Sequence, residues 1–234
     1  MSRHSTNADQ RLIRAARELV PETGFSRLTL REVAAKAGVN LGMFNYHFKD
    51  KRNFLCRVME EMYEEFLAKF NWEVAVGETS LEQLRNALRA LGRFVRDNRR
   101  LLTALGRDVM EGDRDIVRFV EDNFSRHMTV IYKIVQQCRK EGYLAPAIPV
   151  PQVLVFLAAS VAGPSIMFNV VDRAPTGLAL TALKKTLSPM VIGDKALDKR
   201  VDMAIQAVLK PKPAAALAGA RRKTRAAGKK GNLS

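Results

Sequence analysis

The sequence predicts an all-α protein in which a small helical N-terminal part precedes a larger helical body. Apolar residues recur at three- and four-residue intervals along most of the chain, which is the period of an amphipathic helix. No segment shows the sustained two-residue alternation of a half-buried strand. Clusters of Gly and Pro interrupt the helical segments, and each cluster predicts a turn between two helices.

The composition is that of an ordered globular protein. The chain has 234 residues, of which 47% are hydrophobic, enough to bury a sizeable core. Its two cysteines, Cys56 and Cys138, exclude a disulfide-stapled scaffold and form no CxxC zinc or redox motif. Residues 1–9 are polar and lack the apolar segment of a secretory signal. We therefore expect a cytoplasmic protein.

The N-terminal part of the chain predicts three helices. The first, over about 9–20, ends at a turn rich in Pro and Gly. Thr29 has the hydroxyl of an N-cap, and Gly38 favours the left-handed geometry that ends a helix, so a short helix is expected between them. Asn40 is expected to cap a second short helix that runs to about His47.

Longer amphipathic helices are expected in the rest of the chain. Asp50 is the expected cap of a long fourth helix, and Ser80 is the expected cap of a fifth. Further helical segments are predicted at about 101–110, 113–141, 150–171 and 194–209. The stretch between the last two is punctuated by Pro and Gly, and no helix is predicted there.

The charge balance indicates a polyanionic partner. Lys and Arg number 39 against 24 Asp and Glu, a formal net charge of +15. Eight of these cations and no acid lie in residues 210–234, which leaves +7 for the preceding part of the chain. A basic tail with so few apolar side chains is typical of a disordered segment. Nucleic acid is the expected partner, and an acidic membrane surface is the alternative.

Residues 29–51 carry the most informative pattern. Two short helices joined by a tight turn are predicted there, and the small Ala34 allows them to approach closely. Val39 and Phe44 are expected to fill the angle between the helices. A helix as short as 41–47 is not stable alone, because nucleation is costly. Polar side chains on a short helix that is held against a packed support suit the major groove of DNA.

These residues resemble the TetR family of bacterial transcriptional regulators over about 10–55. The matching positions are Thr29, Val33, Ala34, Ala37, Gly38, Val39, Gly42, Phe44, His47, Phe48 and Lys51. The resemblance implies a three-helix helix-turn-helix DNA-binding domain at 1–50, followed by a helical domain at 51–209 that dimerises and binds an effector. The basic segment 210–234 is expected to be a separate tail.

The resemblance also implies which side chains contact DNA. Thr29 and Arg31 would contact the backbone, and Lys51 would contact a phosphate. The recognition helix would read the groove through Asn40, Leu41, Gly42, Met43, Asn45, Tyr46 and His47. Most members of the family carry a tyrosine at the position of Asn45. The phosphate contact therefore passes to Tyr46 or to Asn45 itself, or Asn45 pairs with an adenine edge.

The helical body is expected to enclose an apolar pocket for an unknown small-molecule effector. The candidate lining residues are Met62, Phe66, Trp72, Phe94, Met110, His127, Met128 and Phe168. Each of them also suits core packing, and His127 lies on the apolar face of its helix. In the resembled family, a bound effector moves the fourth helix and respaces the two recognition helices. The expected function is therefore a repressor that is released from a palindromic operator.

Residues 150–171 contain no charged side chain, and this leaves two interpretations. The segment is long enough to cross a bilayer. A single span would, however, place the basic N-terminal domain and the basic tail on opposite sides, against the positive-inside preference. In the resembled family the last two helices form a dimer interface. We therefore expect a homodimer through about 150–171 and 194–209, and no membrane partner.

No catalytic or metal-binding motif is present. The sequence lacks GxSxG, GxxxxGK[ST], GxGxxG and HExxH, and its three histidines do not share metal-ligand spacing. We expect neither an enzyme nor a cofactor, but a DNA-binding regulator in the cytoplasm, associated with the nucleoid. The alternatives are a non-specific architectural DNA-binding protein without an effector and a membrane-attached interaction protein. The effector, the operator, the regulated genes and the direction of regulation stay open.

Overall fold

The computed structural model describes residues 3–145, 147–173 and 178–210. Over these residues the chain forms ten helices, with one isolated bridge between Leu144 and Leu209. The helices are α1 (Arg3–Thr23), α2 (Leu30–Ala37), α3 (Leu41–His47), α4 (Lys51–Ala75), α5 (Ser80–Asp97), α6 (Arg99–Met110), α7 (Arg114–Lys140), α8 (Val150–Arg173), α9 (Leu178–Ile192) and α10 (Asp194–Val208). The all-α prediction is confirmed. The expectations for the basic tail beyond Lys210 lie outside the described residues.

Local capping signals set the ends of the short N-terminal helices, as predicted. Thr29 Oγ1 accepts a hydrogen bond from the Glu32 amide at 3.3 Å, and the Glu32 carboxylate accepts one from the Thr29 amide at 3.0 Å. Gly38 ends α2 with φ of 61°. Asn40 Oδ1 accepts from the amide of Gly42 at 2.8 Å and caps α3.

The predicted end of α1 is wrong by several residues. Pro21 lies inside the helix, which continues to Thr23. The helix stops where Gly24 adopts φ of 85° and its amide donates to the carbonyl of Val20 at 2.8 Å. A proline in the last turn removes one hydrogen bond, whereas a left-handed residue changes the direction of the chain, so Gly24 is the terminator.

Two predictions about the body are corrected. Thr79, not Ser80, caps α5, since the Thr79 hydroxyl accepts from the Glu82 amide at 3.2 Å. Ser80 is instead buried and donates to the carboxylate of Glu141 at 2.5 Å. The second correction is α9, a helix in the stretch where the Pro and Gly pattern predicted none. Its proline, Pro189, lies in the last turn, where it disturbs few backbone hydrogen bonds.

The buried side chains form two clusters that share helices α4 and α7. The first joins α1, α2 and α3 to the beginning of α4 and includes Leu101 of α6 and Ile116 of α7. The second fills the body between the end of α4 and helices α5, α7, α8 and α10. Helix α4 contributes Phe54 to the first cluster and Phe70 to the second. It therefore connects the N-terminal domain rigidly to the body.

Helix α8 has one buried stripe and one open face. The stripe packs against α5, α6 and α10 and consists of Val153, Leu157, Val161, Ser165 and Asn169. Asn169 Nδ2 donates to Thr103 Oγ1 at 2.9 Å. Within the described chain, Val150–Val171 is the one helical segment long and apolar enough to cross a membrane, and its apolar window is 28% buried. A buried asparagine paired with a side chain on α6 is typical of a helix packed within a bundle.

Candidate nucleic-acid interface and apolar cavity

Helix α3 presents one buried and one exposed face. Phe44 is fully buried, and its ring centroid lies 5.1 Å from that of Phe54 and 5.4 Å from that of Phe48. On the opposite face Tyr46 is 75% exposed, and Leu41 and Met43 are exposed as well. The core therefore holds a seven-residue helix that has little stability of its own, and leaves its outer surface open.

The turn before α3 is held from behind by α1. The guanidinium of Arg11 donates to the carbonyls of Ala37 and Gly38. The positive φ of Gly38 favours glycine, and a Cβ there would also displace the end of the Arg11 side chain, since it would lie 2.8 Å from Arg11 Nη2. The angle between α2 and α3 is thereby fixed.

The other predicted contact residues surround the open face of α3. Thr29 and Arg31 are exposed at the start of α2, and the Thr29 hydroxyl donates to Glu32 at 2.6 Å. That hydrogen bond holds the pKa of Glu32 below its usual value. Asn40 and Gly42 are exposed at the start of α3.

Three predicted contact residues differ from simple exposed groups. Lys51 Nζ donates to the carbonyl of Ser26 at 2.7 Å, so its ammonium already has one partner within the chain. His47 is half-buried, and its Nε2 lacks a hydrogen-bond partner among the described residues. The side chain of Asn45 lies outside the described part of the structure.

A cavity of about 360 Å³ lies between α4, α5, α6 and α7. Three of its lining side chains are polar, namely Tyr63, Asn123 and His127. The others are Phe25, Met59, Met62, Leu91, Phe94, Val95, Leu101, Leu102, Leu105, Gly106, Val109, Phe119, Val120 and Phe124. No charged side chain lines this cavity, so it suits a neutral apolar molecule.

The structure brings together three of the eight predicted pocket residues. Met62, Phe94 and His127 line the cavity. Phe66 stacks on Phe94 at a centroid distance of 4.1 Å but does not itself line it.

Four other candidates lie elsewhere. Met128 is half-buried against the core of the body, and Phe168 is half-buried on α8. Trp72 and Met110 are 68% and 82% exposed, so neither contributes to the cavity. Residue type alone does not show which face of a helix turns towards a neighbour.

A hydrogen-bonded histidine marks one end of the cavity. His127 is 4% exposed, and its Nδ1 lies 2.9 Å from the hydroxyl of Tyr63. The Tyr63 hydroxyl also donates to the main-chain carbonyl of Asn123 at 2.6 Å. Burial lowers the pKa of His127 to about 4, so its ring is neutral at pH 7. Sequence reasoning identified His127 but missed Tyr63 and Asn123.

The loop between α1 and α2 connects the cavity to the N-terminal domain. Phe25 in this loop is buried in the N-terminal core and also lines the cavity. The buried carboxylate of Asp108 on α6 accepts hydrogen bonds from the amides of Phe25 at 2.8 Å and Ser26 at 3.3 Å. The Ser26 hydroxyl donates to Asp113, the cap of α7, at 2.8 Å. We call this set of contacts the loop clamp. It consists of the carboxylates of Asp108 and Asp113 and the groups that donate to them, namely the amides of Phe25 and Ser26 and the hydroxyl of Ser26.

Gly24 allows the end of α1 to lie close to Arg107 and Asp108 of α6. A Cβ at this position would lie 2.2 Å from Arg107 Nη2 and 3.0 Å from Asp108 Oδ1. Arg107 Nη2 also donates to the carbonyl of Thr23 at 2.8 Å. The end of α1 and the end of α6 are thus locked together through polar contacts that no local sequence pattern indicates.

Metal-binding groups are a separate question from the cavity. Among the residues that the structure describes, no group of three His, Cys, Asp or Glu side chains is placed to hold a metal ion.

Comparison with known proteins gives a family for the N-terminal domain. Residues 12–58 match the family described as bacterial regulatory proteins, tetR family. A helix-turn-helix-type transcriptional regulator from Staphylococcus aureus is 24% identical over 123 residues. That match covers 53% of this chain and 64% of the relative, so it spans less than two thirds of the relative's length.

Solved structures share the fold of most of the chain. The ketosteroid transcriptional regulator KstR2 of Mycobacterium tuberculosis has a TM-score of 0.64 at 16% identity, covering 87% of this chain and 95% of its own. The transcriptional regulator FadR from Bacillus subtilis, solved with stearoyl-CoA, has a TM-score of 0.61 at 17% identity, covering 79% and 98%. The three-helix geometry and the family match over residues 12–58 confirm the resemblance to the tetR family of bacterial regulatory proteins that the sequence indicated, and the solved structures share its fold.

Proposed function

We propose that this chain is a DNA-binding transcriptional regulator, a homodimeric repressor that leaves a palindromic operator when a small apolar effector occupies the cavity. Its place of action would be the nucleoid in the cytoplasm. One observation carries the proposal: Phe25 belongs to the packed core of the DNA-binding domain and at the same time lines the cavity. A molecule in the cavity would therefore touch the interior of the unit that holds α3.

The open face of α3 supports DNA binding. Tyr46, Met43 and Leu41 are exposed side chains on a helix whose fold does not need them. A Cβ on Gly42 would meet only Asn40 Oδ1, at an ordinary 3.4 Å, so the free protein does not require glycine there. Close approach of the DNA backbone is a reason for glycine at this position.

Exposed apolar side chains on α8 and α9 support a homodimer. They are Val155, Phe156, Met167, Val170, Val171, Leu187 and Met190. Gly163 lies one turn before Met167, and a Cβ there would meet no atom within 4 Å, so a second copy could approach closely. On α10 only Met203 is a large exposed apolar side chain among the described residues. The proposed interface therefore uses α8 and α9 more than the expected segment 194–209.

The cavity supports an apolar effector. It has no charged lining residue, and the fold is shared with a regulator solved with stearoyl-CoA and with a ketosteroid regulator. The effector must bind the DNA-incompetent conformation more tightly, since a ligand with equal affinity for both conformations shifts nothing. Strain on Phe25 and on the loop clamp would distinguish the two conformations.

Selection of bound fragments from genomic DNA by the purified full-length protein tests the DNA-binding part of the proposal. We expect fragments that share one palindrome with half-sites about 34–36 Å apart, and a preference over random DNA of at least about a thousandfold. Recovery of unrelated fragments with equal affinity would instead indicate the non-specific architectural protein. The genes beside the selected fragments would also indicate the effector.

A further inference from the structure

The hydrogen bonds of Tyr63 determine the tautomer of His127. The Tyr63 hydroxyl has one proton, and the carbonyl of Asn123, 2.6 Å away, can only accept it. In the hydrogen bond of 2.9 Å between that hydroxyl and His127 Nδ1, the histidine must then be the donor and the hydroxyl oxygen the acceptor. A neutral ring with its proton on Nδ1 carries a bare lone pair on Nε2. His127 lines the cavity, and the Nε2 of its ring is a hydrogen-bond acceptor.

The other polar groups of the cavity add at most one donor, the second amide proton of Asn123. Tyr63 has already given its proton to a carbonyl. Asn123 Nδ2 donates to the carbonyl of Phe119 at 3.0 Å, so one of its amide protons is used. Arg126 lies over the Tyr63 ring at 5.5 Å, but it is paired with Glu64 and does not line the cavity. The polar end of the cavity thus offers acceptors, one amide proton of Asn123 and no positive charge.

We infer that the cavity selects a neutral apolar ligand that carries a hydrogen-bond donor, such as a hydroxyl group, and that this group donates to His127 Nε2. This inference rests on the proposed function, because it names the chemistry of the effector. A carbonyl or ether ligand would bring a second acceptor to His127 and leave its Nε2 unpaired. A carboxylate would bring a charge into a cavity without a cation, so it is disfavoured further.

Three probes with linear apolar chains of nine or ten carbons separate these chemistries: 1-decanol, decyl methyl ether and decanoate. Their affinities for the full-length protein are measured without DNA at pH 7.5, by displacement of the neutral fluorophore N-phenyl-1-naphthylamine. We expect 1-decanol to bind about tenfold more tightly than decyl methyl ether, in which a methyl group replaces the hydroxyl proton. Decanoate is expected to bind most weakly.

Two variants test the role of the histidine. His127→Phe keeps an aromatic ring and removes the acceptor, so it should lower the affinity for 1-decanol to that for the ether and leave the ether within about twofold. Tyr63→Phe keeps His127 and releases Nδ1, so the ring can place its proton on Nε2 and donate. The ether should then bind more tightly than it does to the wild type, so the preference for the alcohol over the ether should fall.

The inference is overturned if the wild-type protein binds none of the probes, prefers the ether or decanoate, or shows no preference. It is also overturned if either variant, with a melting transition like that of the wild type, keeps the full preference for the alcohol. Operator release is scored separately. If the preference is present but 1-decanol leaves operator affinity unchanged, the inference stands and the proposed regulation fails. If the probes release the operator without a preference, the regulation stands and the inference fails.

Discussion

Two aromatic residues of α3, two positions apart, have opposite surroundings. Phe44 is fully buried among other rings, and Tyr46 is 75% exposed. A side chain that the fold does not use can be removed without loss of stability, whereas a buried ring leaves a cavity. This pair therefore separates DNA binding from folding within one short helix.

Tyr46→Ala should weaken operator binding by about 1–3 kcal/mol and leave the melting temperature unchanged. Phe44→Ala should lower the free energy of unfolding by about 3–5 kcal/mol. Urea denaturation and operator binding by fluorescence anisotropy measure the two effects. If Tyr46→Ala lost DNA binding only in proportion to stability, the assignment of the exposed face would be wrong.

The buried His127 should make the stability of the protein depend on pH. Its pKa is about 4 in the folded chain and about 6.5 when unfolded, so the unfolded state binds more protons between these values. The contribution of His127 to the free energy of unfolding therefore falls as the pH decreases from about 6.5 to 4. At pH 5 it has fallen by about 2 kcal/mol. Urea denaturation at pH 7.5 and pH 5 measures the decrease.

The variant His127→Phe serves as the control for this effect. Between pH 7.5 and pH 5 its free energy of unfolding should decrease by about 2 kcal/mol less than that of the wild type. The neighbouring pair Arg126 and Glu64 does not compete, because the hydrogen bond from Arg126 holds the pKa of Glu64 below its usual value. Equal losses in the two proteins would show that His127 is protonated when folded.

Between elements, the loop clamp is the contact with the clearest consequence. Asp108 accepts two amide hydrogen bonds from the α1–α2 loop, and removing it would leave both amides buried or half-buried without a partner. Asp108→Ala should therefore speed hydrogen exchange at the amides of Phe25 and Ser26, and lower the free energy of unfolding by about 1–3 kcal/mol.

Glu111→Ala provides the matched control for Asp108→Ala. Glu111 is an exposed acid at the same end of α6, and it pairs with Arg27 at 3.5 Å without touching the loop amides. This variant should leave both exchange rates unchanged. Similar rates in the two variants would mean that Asp108 does not hold the loop.

The elements also show what the sequence could predict. The limits of α2 and α3 follow from Thr29, Gly38 and Asn40, whose caps act within three or four residues, so local reasoning finds them. The cap of α5 was misplaced by one residue because Thr79 and Ser80 both have a hydroxyl, and only the contact of Ser80 with Glu141 separates their roles.

The cavity was harder to predict because its lining comes from distant parts of the chain. Tyr63 and Asn123 meet 60 positions apart, and Phe25 meets Asp108 across 83. No periodicity within one helix encodes such pairs. Trp72 and Met110 were chosen by residue type, and the packing of α4 and α6 turned both of them to solvent.

At the scale of the whole molecule, the open face of α8 should hold two copies together. Met167 is 64% exposed in a single chain, so Met167→Glu would not disturb the fold of the monomer but would place a charge in an apolar interface. Light scattering at micromolar concentration should give twice the 26.1 kDa chain mass for the wild type and the mass of one chain for the variant.

Met110→Glu is the control, since Met110 is 82% exposed at the end of α6. It should remain dimeric, because Met110 is on α6 and the proposed interface is on α8 and α9. A monomeric wild-type protein, or a dimeric Met167→Glu variant, would contradict an interface on α8.

The most direct measurement is operator affinity with and without a ligand in the cavity. Fluorescence anisotropy would follow a labelled operator, obtained by the genomic selection, titrated with full-length protein at zero and saturating 1-decanol. We predict that 1-decanol weakens operator binding of the wild type at least about tenfold. Gly106 lines the cavity, and a Cβ there would meet no atom within 4 Å, so Gly106→Leu should fold, occupy part of the cavity and abolish the response. Unchanged affinity in the wild type, or an equal response in Gly106→Leu, would contradict control of DNA binding through the cavity.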